Sequence, residues 1–280
     1  MTELSLPLGA RRSGRARYAA AMALYQLGQI TADALEIYRI CSLLDGADPA
    51  KMLAEAKLPA ARIAALTGEV AIRALLIAVD SYLSTLPGPG VPEVRQGLHR
   101  WANGPVTLRG QDNPVIQSHL PAALTQLRPT HPDLADAIGE AAPYLKWITY
   151  DGYGPDIGQD FAKGHAYASL IGEDASIPAL DYDLGVVLIA PHVLYRDHHH
   201  AAPELYAPLT GPHGWRFGPD RPLIVKAAHE PVWNDPHRPH LTKVGPTPFL
   251  ALFGWTRDVQ ELAQIIPARD WPALEDLRLA

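Results

Sequence analysis

Eight of the 12 histidines in this 280-residue chain (His192, His198, His199, His200, His213, His229, His237 and His240) fall between positions 192 and 240, where an even spread would put about two. Within the run, His198 and His200 stand two apart and Glu204 follows four later. On an extended strand, residues two apart project to the same face. His198 and His200 therefore share a face, His199 points the other way, and Glu204 returns to the first face after a bend at Pro203. Two imidazoles and a carboxylate gathered in this way form a facial set that leaves coordination positions open for substrate or water. This pattern reads as β-structure closing around one cation in a barrel; the competing reading is a surface histidine run that binds metal incidentally.

The texture of the chain agrees. From about Pro143, short β-rich runs alternate with Gly, Pro and Asp: Trp147–Tyr150, Ala166–Ile171, Gly185–Ile189, Leu205–Leu209, Leu223–Val225 and Phe249–Trp255. Many short strands with turn signals between them mean a sandwich or barrel. The first half reads as helices. Thr31 is a good N-cap and Gly46 a stop, with Leu35, Tyr38, Leu43 and Leu44 near helical spacing. Pro59 to Leu83 is the longest helical run, and Pro87-Gly-Pro-Gly-Val-Pro92 cannot continue it. Shorter patterns follow at Glu93–Ala102, Ile116–Leu127 and Pro132–Ala141. The expectation is an α+β chain: a helical region over 1–145, a metal-binding barrel over 146–265, and a tail or short helix over 266–280. The helical region would serve packing, homodimer formation or cover of one barrel mouth.

Bulk properties remove several classes. A net charge of −6 lacks the basic surface a nucleic-acid binder needs. Arg11, Arg12, Arg15 and Arg17 make a short basic patch that reads as a solvated tail or helix start. Cys41 is the single cysteine, so no internal disulfide forms, and its apolar setting suggests a small buried hydrophobe. Neither a signal peptide nor a membrane-length apolar stretch is visible, and the expected setting is soluble and cytoplasmic.

The segment from His198 also resembles the first cupin signature, His-x-His-x3-Glu-x6-Gly, met at His198, His200, Glu204 and Gly211; His192 stands where that signature usually has a glycine. A later histidine usually completes a cupin site. His240 enters a strand before a hairpin and is best placed, His229 ends an apolar run and is next, and His237 lies in a proline-rich loop. Tyr206, two residues past Glu204, shares the ligand face, and Tyr195, five before His200, would stand at the mouth. A phenol titrates near 10, but a nearby divalent cation lowers that value and makes it a usable base.

Phe161–Gly172, Gly185–Pro191, Leu194–Tyr206, Pro239–Thr242 and Pro248–Trp255 together resemble the cupin dimethylsulfoniopropionate (DMSP) lyases. Tyr195-x2-His198-x-His200-x3-Glu204-x-Tyr206 is the most specific part. The resemblance implies a double-stranded β-helix preceded by helices, and a β-elimination that splits DMSP, a small carboxylate, into dimethyl sulfide and acrylate. It implies that His198, His200, Glu204 and His240 bind Zn²⁺, Fe²⁺, Mn²⁺ or Ni²⁺, that Tyr206 takes the α-proton, and that Tyr195 assists. Tyr167, Trp215, Trp233 and Trp255 are candidates to face the sulfonium. The same ligands would also serve an Fe(II) dioxygenase, an isomerase or a small-molecule sensor.

Overall fold

The computed structural model describes residues 4, 6 and 8–279. The chain forms two compact units, one up to Ala74 and one from Leu75.

The first unit holds helices α1 (Ser13–Gln26), α2 (Ala32–Cys41), α3 (Pro49–Glu55) and the start of α4 (Ala60–Leu83). Thr31 caps α2, its Oγ1 accepting the Ala34 N–H at 3.2 Å. The helix stops at Cys41 rather than running to Gly46, and Leu43 and Leu44 are left exposed. Leu24, Ile30, Tyr38, Leu53 and Ile63 form the core. The arginine patch begins α1, but Arg17 is not solvated. Its buried guanidinium donates to the carbonyls of Leu6, Asp45 and Ala47 at 3.0, 2.8 and 3.2 Å. A fixed fork of donors can satisfy several loop carbonyls at once, which a sequence pattern does not reveal. Cys41 is buried, with Sγ 3.3 Å from Met52 Sδ.

The second unit adds α5 (Val91–Trp101), α6 (Pro114–Leu127), α7 (Pro132–Ala141) and α8 (Gln159–Gly164). The strands follow: β1 (His165–Gly172), β2 (Ile177–Pro178), β3 (Asp183–Ile189), β4 (Leu194–His199), β5 (Glu204–Pro208) and β6 (His213–Arg216). After them come β7 (Ile224–Lys226), β8 (Val232–Asn234), β9 (His240–Lys243), β10 (Phe249–Trp255), β11 (Gln264–Ile265) and helix α9 (Trp271–Asp276). One sheet runs β2-β1-β3-β10-β5-β8 and the other β11-β4-β9-β6-β7. Apart from the parallel β1–β2 pair, neighbouring strands are antiparallel. Tyr206, Val232, Phe249 and Phe253 of the first sheet meet Tyr195, Trp215 and Val244 of the second in one core. Helices therefore precede a two-sheet cupin-type barrel.

The first sheet is buried on both faces, because α6 packs against β1, β3 and β10. On β3, Leu184, Val186 and Leu188 are buried on the helix side, while Asp183 and Val187 line the barrel interior. Such strands lose clean alternation and read as continuous apolar runs. Gly185, between them, makes room for Phe253: a Cβ there would stand 2.6 Å from its ring.

The expected strand Trp147–Tyr150 does not form and is corrected here to a lone bridge between Ile148 and Tyr167. Local bonds absorb its polar groups instead. Thr149 Oγ1 donates to the His165 carbonyl at 3.0 Å, and the Tyr150 N–H donates to His165 Nε2 at 3.1 Å.

Candidate metal centre

Strands β4 and β9 pair so that His198 and His240 lie directly opposite each other, with ring centroids 4.0 Å apart. His200 follows the end of β4, and the chain then turns through Ala201–Pro203 to deliver Glu204 as the first residue of β5 in the facing sheet. The cluster thus joins the two sheets. Ligating nitrogens of His198, His200 and His240 all lie within 4.8 Å of one another. Glu204 Oε2 stands 3.2 Å from His200 Nε2 and 3.3 Å from His240 Nε2. All four side chains are buried.

The outer nitrogens fix the tautomers. His198, His200 and His240 each donate Nδ1–H to a backbone carbonyl, of Arg196, Ala202 and Arg238, at 2.8, 2.8 and 2.9 Å. A neutral imidazole so tied keeps its lone pair on Nε2, which is the arrangement around metal-bound histidines. Burial, followed by the neighbouring His240 and His200, holds His198 well below the usual histidine range, so it stays neutral. Burial would push the Glu204 carboxyl up, but its close contacts with His200 and His240 outweigh that and hold the group well below its usual range. His240 Nε2 has no hydrogen-bond partner.

Lone pairs and a carboxylate brought this close repel unless positive charge lies among them. Donors about 2.0–2.1 Å from one ion, at tetrahedral or octahedral angles, are about 2.8–3.4 Å apart. The Glu204 distances fall in that interval. Three imidazoles and one carboxylate fit a divalent metal ion.

The other candidates lie elsewhere. His199 faces away, its ring 5.8 Å from that of His237. His229 Nδ1 meets the Tyr82 hydroxyl at 3.0 Å and its Nε2 meets Thr130 Oγ1 at 3.3 Å. Gly211 is needed sterically, since a Cβ would stand 2.4 Å from the Ala228 nitrogen.

Tyr206 is buried two residues along β5 from Glu204, its ring 6.5 Å from that of His240. Burial, then the Glu204 charge, holds its phenol well above the usual value. The Tyr195 ring is clamped between Phe161 and His198, with centroids 4.0 and 3.9 Å away. On a regular strand Tyr195 and His198, three apart, would face opposite ways. A register shift between β4 and β9 at this point brings both inward.

A family model for dimethylsulfoniopropionate lyases matches residues 101–251, more than half the chain. The chain belongs to the DMSP lyase family. Among solved structures it resembles the DMSP lyase DddQ from Ruegeria pomeroyi DSS-3, at 25% identity and a TM-score of 0.50, over 71% of this chain and 96% of that one. A chain from the crystal structures of the DMSP lyases RdDddP and RnDddQII matches with 22% identity, the same TM-score, and 71% and 100% coverage. No curated protein matches in sequence. No helix among the described residues is long and apolar enough to cross a membrane.

In this DMSP lyase family member, a cavity of about 200 Å³ adjoins the histidines. Glu204, Tyr206, Tyr195, Phe253 and Trp255 line it together with Tyr150, Tyr153 and Phe161 and, from the loop after β10, Val259, Glu261, Leu262 and Ala263. Tyr167 and Trp255 line it, as candidates for a cation site. Trp215 does not, being enclosed behind Tyr206, and Trp233 packs over Gly90.

Two neighbours of the site, Asn234 and Tyr153, carried no sequence signal, and Trp255, a candidate for the sulfonium, has a second contact. Trp255 Nε1 donates to Glu204 Oε1 at 2.8 Å, and Asn234 Nδ2 donates to Oε2 at 3.2 Å. Tyr153, from a glycine-flanked loop, places its hydroxyl 2.5 Å from that of Tyr195. The register Trp255–Glu204–Asn234 across β10, β5 and β8 explains the first two. Long-range pairing of this kind is invisible to local periodicity.

Proposed function

We propose that the protein is a metal-dependent carbon–sulfur lyase that splits dimethylsulfoniopropionate into dimethyl sulfide and acrylate, with His198, His200, Glu204 and His240 as the metal ligands. The observation that carries this reading is the convergence of three Nδ1-tethered imidazoles and Glu204 on one point beside a buried tyrosine, in a chain of the DMSP lyase family. Zn²⁺, Fe²⁺, Mn²⁺ and Ni²⁺ all suit imidazole and carboxylate donors. The bound cation would supply Lewis acidity for the substrate carboxylate and lower the phenol's affinity for its proton.

Tyr206 is the base. With burial and Glu204 holding its phenol well above the ordinary range, it yields a phenolate only beside positive charge, which couples the base to the filled site. The phenolate oxygen takes a proton from the α-carbon. The freed C–H electron pair becomes the Cα=Cβ bond, the Cβ–S bond breaks, and its pair leaves on sulfur as dimethyl sulfide. The Tyr206 proton then passes to water. Tyr195, held by Tyr153 and by the rings of Phe161 and His198, orients the substrate rather than moving protons. Among the described residues the cavity lining carries no Lys or Arg, so the substrate carboxylate is left to the metal side and the aromatic walls to the sulfonium.

The test is anaerobic incubation of the metal-loaded protein with DMSP, reading acrylate and dimethyl sulfide by chromatography. Both products are expected without oxygen, which separates elimination from dioxygenation. Their absence with all four metals rules out the substrate. Tyr206→Phe is expected to abolish turnover with metal content kept near normal; retained turnover removes Tyr206 from the base role.

A further inference from the structure

Asp183 is an ionisable group in the cavity that the elimination does not use. It begins β3, pairs in register with Trp255 of β10, and Trp255 pairs in turn with Glu204 of β5. The three residues form one row on the inner face of the sheet. Adjacent strands are about 4.8 Å apart, so the Asp183 and Glu204 backbones stand about 10 Å apart across the row. Asp183 also lines a second cavity of about 180 Å³, which shares Tyr167 and Val259 with the first. Its carboxylate is at the wall common to both.

The Asp183 Oδ1 atom is enclosed and has no hydrogen-bond partner. Buried carboxylate oxygens are ordinarily satisfied by donors or cations, and a carboxylate that lines two cavities with one oxygen left unpartnered has charge to offer a cationic ligand. Lys146, on the far wall of the second cavity, is engaged by Asp174. Beside Asp183 stand Ser169, which hydrogen-bonds its carboxylate, and the aromatic side chains of Tyr167 and Trp255. An anion set among aromatic faces suits a weakly hydrated onium group, which needs charge compensation and ring contact but no hydrogen-bond acceptors.

We propose that Asp183 is the cation anchor of the substrate site, receiving the sulfonium end while the substrate's carboxylate end faces the histidine cluster across Trp255. The assignment rests on the lyase reading for the identity of the ligand. A short onium carboxylate spans much of the roughly 10 Å row, so its two ends reach the two ends of the site. Burial pushes the Asp183 carboxyl up to about 7, Ser169 opposing through a hydrogen bond, and a bound cation relieves that burial.

The experiment is isothermal titration calorimetry on metal-loaded Tyr206→Phe protein, which stops turnover, with and without Asp183→Asn. The probes are DMSP and 4-methylpentanoate, the isosteric carboxylate that lacks the sulfonium charge. With Asp183 present, DMSP is expected to bind at least about tenfold tighter than the isostere. Asp183→Asn is expected to collapse that ratio toward one, mainly by weakening DMSP, with 4-methylpentanoate changed by less than about twofold. Equal affinities in the Asp183-bearing chain overturn the anchor without any variant, as does an unchanged ratio in Asp183→Asn or no binding of either probe. Turnover of DMSP by the wild-type chain is read separately. Turnover with an unchanged ratio removes the anchor and keeps the lyase; a collapsing ratio without turnover does the reverse.

Discussion

At the scale of single residues, the candidate metal centre is aimed by the outer atoms of its side chains. Each histidine spends one nitrogen on a backbone carbonyl and Glu204 spends one oxygen on the Trp255 indole. Those outer bonds choose the tautomer and aim the carboxylate, and losing such a bond typically costs 10- to 100-fold, roughly, in metal affinity. Trp255→Phe keeps the aromatic wall but deletes the N–H. It is expected to weaken Zn²⁺ affinity about tenfold by competition with a chromophoric chelator, and an unchanged affinity would show that Asn234 alone suffices to hold the carboxylate. The histidines also show what a sequence discloses at this scale. His198 and His200 could be chosen because strand periodicity puts them on one face. His240 and His229 could not be separated by spacing alone, since the choice depends on which of them pairs with β4.

Among elements, strand β4 is held from both sides. Its inward residues carry His198 and Tyr195, while the outward Asp197 is fully buried and accepts from Arg216 of β6 and, at 2.8 Å, from the Trp271 indole of α9. Arg216 also meets Asp270 just before α9. Arg196 adds an ion pair to Glu275 at 2.6 Å and covers the Trp271 ring. The terminal helix therefore clasps the strand that carries His198. Removing one partner of a buried pair leaves an uncompensated charge, which costs about 3–5 kcal/mol. Arg216→Met is expected to destabilise by that amount in urea unfolding, and Asp197→Leu combined with Arg216→Met to recover most of it. Equal losses in the single and double variants would contradict the pairing. Helices α2 and α4 to α7 were legible from apolar spacing and Pro-Gly stops, whereas α1 and α3 were not. Strands β4 and β9 were legible only through their histidines, and β6 was not, because its His and Arg residues lack the β-branched composition that marks a strand.

Across the whole molecule, the barrel's buried neutral histidines set its response to acid. His213 is buried, its Nδ1 accepting the Gly245 N–H at 3.2 Å, and burial pushes it down to about 4. The unfolded chain binds that proton near pH 6.5, so this contribution is complete above 6.5 and falls as pH drops toward 4. The drop is about 3 kcal/mol at most, from 1.36 kcal/mol per unit. His213→Gln keeps an acceptor for Gly245 and does not titrate. Its unfolding free energy is expected to decline less than that of the wild type between pH 6.5 and 4; superimposable declines would place the acid sensitivity elsewhere, as in His165 or His198.

Read alone, the amino-acid order determined the helical first half, the strand-rich second half, and a local metal-binding pattern at His198, His200 and Glu204. All of these follow from side-chain period and backbone restriction, which act over a few residues. Tertiary structure decided that His240 faces His198, that a register shift turns Tyr195 inward, and that Asp183, Trp255, Glu204 and Asn234 form one row. Each of these depends on register between strands distant in the chain. Register is set by the fit of both sheet faces at once, against the helices outside and the core within, and no local pattern encodes it.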